Sequence, residues 1–193
     1  MSAFMTNNNS NGTYQKHDDY MTPKSAWENI QHLIPKDKVL WECFYGDGTS
    51  GDNLKELGFD VIHENIDFFE NNKGDIIVSN PPFTLKKEVF TRLLELDKPF
   101  IMISSQQLLF TQYFRNIMKG KHLQLIIPRK RIQFIKTVDG VIVENYKSQC
   151  NFDCFYFCYK MGLEKDIIWL EWKIKNNRSG NEYIYNFCHS DYF

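Results

Sequence analysis

Asn80-Pro81-Pro82-Phe83 places a side-chain amide, two rings without a backbone N–H and a flat aromatic face within four residues. The Asn80 side-chain carbonyl and the backbone carbonyls of Asn80 and Pro81 can accept hydrogens from an amine. Phe83 offers a surface on which a planar group can stack. A flat base carrying an exocyclic NH2 fits that set of groups. The prolines stiffen the backbone and push Asn80 out of the helical region. Immediately upstream, Asp75-Ile76-Ile77-Val78-Ser79 reads as a short buried parallel strand. The tetrapeptide therefore lies just past the carboxyl end of a strand, where open α/β sheets bind ligands. The same residues also suit an ordinary strand-ending Asn-Pro turn.

A second set of residues lies upstream. Residues 38–44 read as a strand, and Gly46, Gly48 and Gly51 then satisfy G-x-G-x-x-G before a helix predicted over 52–57. Glycines there let the backbone turn sharply beneath a nucleotide-like ligand. Residues 58–64 read as the next strand, ending in Glu64, whose carboxylate can take both hydroxyls of a ribose. Asp67 with Phe68 and Phe69 follows, an acid and aromatics able to bracket an adenine. A nicotinamide dehydrogenase would set a pyrophosphate at the helix N-terminus. A methyltransferase would hold S-adenosylmethionine, with its ribose and adenine but no phosphate. A βα unit with a glycine turn and no ligand has the same appearance.

The elements that must position these groups follow from periodicity. Residues 1–18 are polar and Asn-rich and read as a flexible tail. Thr22 suits an N-cap and Pro23 a first helical position, ahead of Ala26, Trp27, Ile30 and Leu33 at helical spacing. Helices are expected over 85–96 and 108–118, and strands over 99–104, 123–127, 151–160, 167–174 and 183–187. Arg129, Lys130, Arg131 and Lys136, interleaved with Ile132, Phe134 and Ile135, form a basic cluster able to hold phosphates; a solvated surface run has the same composition. Cys150, Cys154 and Cys158 sit in an aromatic strand, more than about ten ångströms apart end to end, which disfavours a metal site.

At 193 residues the chain suits one domain with a full core, read as 19–193. A formal net charge of −1 excludes a globally basic nucleic-acid binder but permits a local patch. Five cysteines and no signal-peptide core point to reduced thiols and a cytoplasmic compartment. No apolar run reaches the roughly 18 residues of a membrane helix.

Taken in order, the Tyr20-Met21-Thr22-Pro23 opening, the Glu42-x-Phe44-x-Gly46-x-Gly48 loop, the acid-ended strand, Asp67-Phe68-Phe69 and NPPF resemble the S-adenosylmethionine-dependent N6-adenine DNA methyltransferases. The compact phage and large-virus type is the most similar. The resemblance covers residues 20 to 160. It implies a Rossmann-like fold with a seven-stranded sheet, parallel apart from one C-terminal strand, with helices on both faces and a small β extension over 161–193. A cofactor half over 20–75 and a catalytic half over 76–160 follow from it. Glu42, Phe44, Gly46 and Gly48 would surround the methionine half of the cofactor. Glu64 would bind the ribose, Asp67 and Phe68 the adenine, and Tyr20, Thr22 and Pro23 would close over the carboxylate. Asn80, Pro81, Pro82 and Phe83 would be the catalytic tetrapeptide. A viral source would place the protein in the host cytoplasm or nucleus. The chain has little room for a separate target-recognition domain, so sequence specificity would be slight, or would come from the C-terminal extension, a homodimer or a partner subunit. Similar NPPF or NPPY loops serve RNA bases and protein glutamine, and an inactive cofactor-binding subunit would keep both loops.

Overall fold

The computed structural model describes residues 20–138, 141–142 and 152–171, with side chains outside 136–138 and 141–142. Two buried runs dictate the centre. Ile76–Ser79 and Phe100–Ser105 are buried at every position, as strands covered on both faces must be. In chain order the strands are β1 (Tyr20–Met21), β2 (Val39–Trp41), β3 (Asp60–Ile62), β4 (Ile76–Ser79), β5 (Phe100–Ser105), β6 (Leu123–Pro128), β7 (Ile135–Val138), β8 (Val141–Ile142), β9 (Cys154–Tyr159) and β10 (Ile167–Leu170). The helices are α1 (Lys24–Ile30), α2 (Thr49–Glu56), α3 (Lys86–Leu96) and α4 (Gln112–Ile117).

Seven strands form one sheet in the order β10-β6-β9-β5-β4-β2-β3. β9 runs antiparallel to β5 and β6, and every other pairing in this sheet is parallel. This is a Rossmann-like α/β architecture, a mostly parallel seven-stranded sheet with helices packed on both faces. β10, from the expected C-terminal extension, joins it as an edge strand beside β6. The strand expected over 183–187, the tail over 1–18 and Cys150 lie outside the described residues.

Alternation along the strands sorts the core into two layers. Ile76, Val78, Ile101 and Ile103 face Ala26, Trp27 and Ile30 of α1 and Leu54 of α2. Ile77, Phe100, Met102 and Phe157 face Val89, Phe90 and Leu93 of α3 and Phe114 of α4. The second layer is aromatic: Phe90 meets Phe114 and Phe157 edge-on, with centroids 5.4 and 5.8 Å away.

From β2 the chain steps outward to β3 and then returns to β4 on the other side of β2. Strand order reverses there, and the carboxyl ends of β2 and β4 lie side by side at the place where open α/β sheets bind ligands. A second, three-stranded sheet, β1-β7-β8, joins the N-terminal segment to the chain after β6, with Tyr20 opposite Lys136. Among the described residues no helix is long and apolar enough to cross a membrane.

Candidate active site

The carboxyl ends of β3, β2 and β4 carry the candidate residues side by side. Glu42, directly after β2, is only 1% exposed. It accepts a hydrogen bond from the hydroxyl of Ser79, and its other carboxylate oxygen lies 2.7 Å from Nε2 of His63. Burial raises the Glu42 pKa despite those two partners, which pull it down. Glu42 is therefore enclosed between Ser79 and His63, where the resemblance sets it around the ligand. Neither His63 nor Ser79 stands out in the sequence, because nothing in either neighbourhood marks it as a partner of Glu42.

Beyond Glu42, Phe44 is buried against Phe68, with ring centroids 5.1 Å apart. Gly46 and Gly48 then adopt φ of +58° and +92°, which other residues resist. The Sδ of Met21 lies 3.6 Å from where a Cβ on Gly46 would stand, so the Tyr20–Met21 strand reaches the glycine loop. Thr22 is buried, and Pro23, at φ −68° and ψ 148°, is the N-cap of α1. The helix thus begins one residue later than Thr22 and Pro23 predict, and no side chain caps it.

At the start of α2 a carboxylate already occupies the N-terminus. Asp47 Oδ1 accepts from the backbone N–H of Thr49 at 3.0 Å and from its hydroxyl, and Asp52 adds a second acid in the first turn. A pyrophosphate at that helix end would face two negative charges. The loop favours a ligand without phosphate.

Glu64 is exposed at the end of β3. Asp67 Oδ1 accepts from the N–H of Phe69 at 2.7 Å and holds the turn that follows. Phe68 has no exposed surface, being packed against Trp41, Phe44 and Phe69. The expectation that Phe68 brackets a ligand is corrected here: the ring is part of the floor. Phe69, half-buried, is the neighbour with surface to offer.

At the end of β4, Pro81 is buried and Pro82 keeps an extended ψ of 126° before a single helical turn at Phe83–Leu85. The Oδ1 of Asn80 is shielded from solvent and has no hydrogen-bond partner. A buried acceptor left unpaired costs about 1–3 kcal/mol, so this atom fits a donor brought by a ligand. Phe83 is half-buried, resting on Phe152 and Phe134 with centroids 5.4 and 6.5 Å away.

The basic cluster follows β6, three strand spacings from β4, or about 14 Å. Arg129 pairs with Glu171, and Nε of Arg131 donates to Asp153 at 2.9 Å. Lys130 is exposed; of Lys136 only the backbone belongs to the described residues. Two of the expected phosphate contacts are thus committed to carboxylates, which a phosphate would have to displace. Among the described residues no group of His, Cys, Asp or Glu could hold a metal ion.

No protein-family model matches the sequence. No curated protein matches it either. Among solved structures, the chain aligns with tRNA (m1A58) methyltransferase TrmI from Aquifex aeolicus at 14% identity, over 76% of this chain and 72% of that one, with a TM-score of 0.40.

Proposed function

We propose that the chain is an S-adenosylmethionine-dependent N-methyltransferase whose acceptor is the exocyclic N6 amine of adenine in DNA. The observation that carries this reading is the unpartnered, enclosed Oδ1 of Asn80, followed by two prolines at the strand end where sheet order reverses. The residues present fit the cofactor. Gly46 and Gly48 let the loop turn sharply beneath it, Glu64 presents an exposed carboxylate for its ribose, and the acids at the start of α2 suit a cation without phosphate. When bound, the cofactor supplies an electrophilic methyl group on a sulfonium.

Everything else falls to the chain itself. The adenine amine is a poor nucleophile because its lone pair is delocalised into the ring. Asn80 Oδ1 and the Pro81 carbonyl accept its two hydrogens. That favours a more tetrahedral nitrogen and stabilises the positive charge that grows on it. Phe83 stacks on the base and fixes its direction of approach. No side-chain base is needed, since the proton can leave after the bond forms. In duplex DNA the base must first leave the stack. Residues 20–75 serve the cofactor and 76–160 the acceptor; Lys130, with Arg129, Arg131 and Lys136, contributes charge for the backbone.

Nucleoside mass spectrometry after incubation with methyl-labelled cofactor tests the proposal. Label in N6-methyladenine of DNA, lost in Asn80→Ala by about 100-fold or more with cofactor binding retained, is the expected result. Label confined to RNA or to protein glutamine moves the acceptor; no transfer at all, to any of the three, rejects the enzyme.

A further inference from the structure

Ser79, Glu42 and His63 form one polar chain across the ends of three adjacent strands, and all three side chains are within 2% of full burial. A buried polar or ionic cluster is a poor source of stability, and apolar residues of the same volume often do as well or better. Its position is more telling than its energy. Ser79 is joined directly to Asn80, His63 directly to Glu64, and Glu42 leads within two residues to Phe44 and the glycine loop.

The histidine is also gripped by that loop. A Cβ on Gly51 would lie 2.0 Å from Nδ1 of His63 and 2.2 Å from Cγ, so only glycine fits there. Tyr45 stacks on the other part of the ring, 4.6 Å between centroids at 20°. The third glycine of G-x-G-x-x-G thus serves the histidine, while Gly46 and Gly48 serve the turn. The imidazole is held by the loop before and within α2, with Nε2 2.7 Å from one Glu42 carboxylate oxygen, while the other accepts from Ser79.

We infer that Ser79, Glu42 and His63 are positioning residues which set Asn80 against the glycine loop, so that the acceptor amine and the cofactor meet in line. The inference rests on the methyltransferase reading for its catalytic consequence. Ser79 and His63 act through Glu42, and need touch neither substrate nor cofactor. Displacement of a reacting group by about 1 Å can cost about 100-fold in rate, so a brace of this kind shows itself in turnover.

The test uses the full chain and the variants His63→Ala, His63→Gln and Ser79→Ala. Gln keeps an N–H near the place of Nε2. With saturating S-adenosylmethionine and DNA, His63→Ala should lower kcat by about 10- to 100-fold, and His63→Gln should restore most of the loss. Ser79→Ala should weaken calorimetric binding of S-adenosylhomocysteine, although Ser79 lies on the acceptor side. Amide exchange in ligand-free protein should quicken at Asn80 and Phe83 in His63→Ala. An unchanged kcat, with only a raised cofactor KM or a lower melting temperature, would overturn the inference. Should the wild type transfer no methyl group, the function fails separately. The exchange rates then decide the brace alone: acceleration at Asn80 supports it, and no change overturns it. Where His63→Ala does not fold, His63→Gln and Ser79→Ala carry the same readouts, each expected to fall between wild type and inactive.

Discussion

The phenolic hydroxyl of Tyr156 donates to the carbonyl of Ala26 at 2.8 Å, across 130 residues of sequence and with both groups buried. It ties the antiparallel strand β9 to helix α1, and burial pushes the hydroxyl's pKa up, so it stays a donor. In Tyr156→Phe the bond goes and the hydroxyl's space is left as a small void. The expected loss is about 1–3 kcal/mol, read as a lower urea midpoint with an unchanged slope.

Glu42 makes stability depend on pH in a direction opposite to that of a paired surface acid. Burial raises its folded pKa above the ordinary 4.5, so the folded state binds this proton more tightly than the unfolded one. Its contribution is complete below about 4.5 and is lost as pH rises through the raised folded value. Glu42→Gln, which has no charge to bury, should gain in melting temperature over wild type as pH rises from 4 to 8. A constant difference across that range would contradict the sign. If the brace is as inferred, the more stable variant will be the slower enzyme.

Phe83 separates acceptor binding from cofactor binding. It is half-buried on Phe152 and Phe134, which leaves part of the ring for a base. Phe83→Leu keeps apolar bulk but loses the flat face. The KM for DNA should rise by about tenfold with the cofactor KM unchanged. The reverse pattern would place the ring on the cofactor side.

Cys43, Cys154 and Cys158 are buried, and burial pushes the thiols of Cys43 and Cys158 well above their ordinary range. Thiolate is the reactive form. Peptide mapping after brief treatment of native protein with iodoacetamide should find these three unmodified, and modified only once denaturant is added.

Much of this arrangement is legible before folding because it rests on local pattern. The runs at 75–79 and 99–104 read as strands and fold as β4 and β5, and the glycine loop and the acid-ended strand fall where they are expected, after β2 and at β3. What escapes depends on distant or near-equal partners. Phe68 and Phe69 are the same residue type side by side, and only packing against Trp41 and Phe44 decides which is enclosed. The helix predicted over 108–118 breaks at Thr111, whose extended φ of −79° and ψ of 137° separates a helical turn, Gln106–Phe110, from α4. β1 and β7, two and four residues long, are too short to show a period and exist through their pairing. Arg129 and Arg131 read as open charges because Glu171 and Asp153 lie far along the chain.

The insertion of β9 between β5 and β6 also fixes when the protein can be completed on the ribosome. A nascent chain that has emerged only through Pro128 carries β5 and β6, yet the strand that joins them is still to be made. Their open edges and the unfilled place of Phe157 between Phe90 and Phe114 remain uncovered. At about 5–20 residues per second that interval lasts roughly two to six seconds. Chaperone engagement should therefore peak while residues 129–159 are being made, and a chain that terminates after β6 should aggregate.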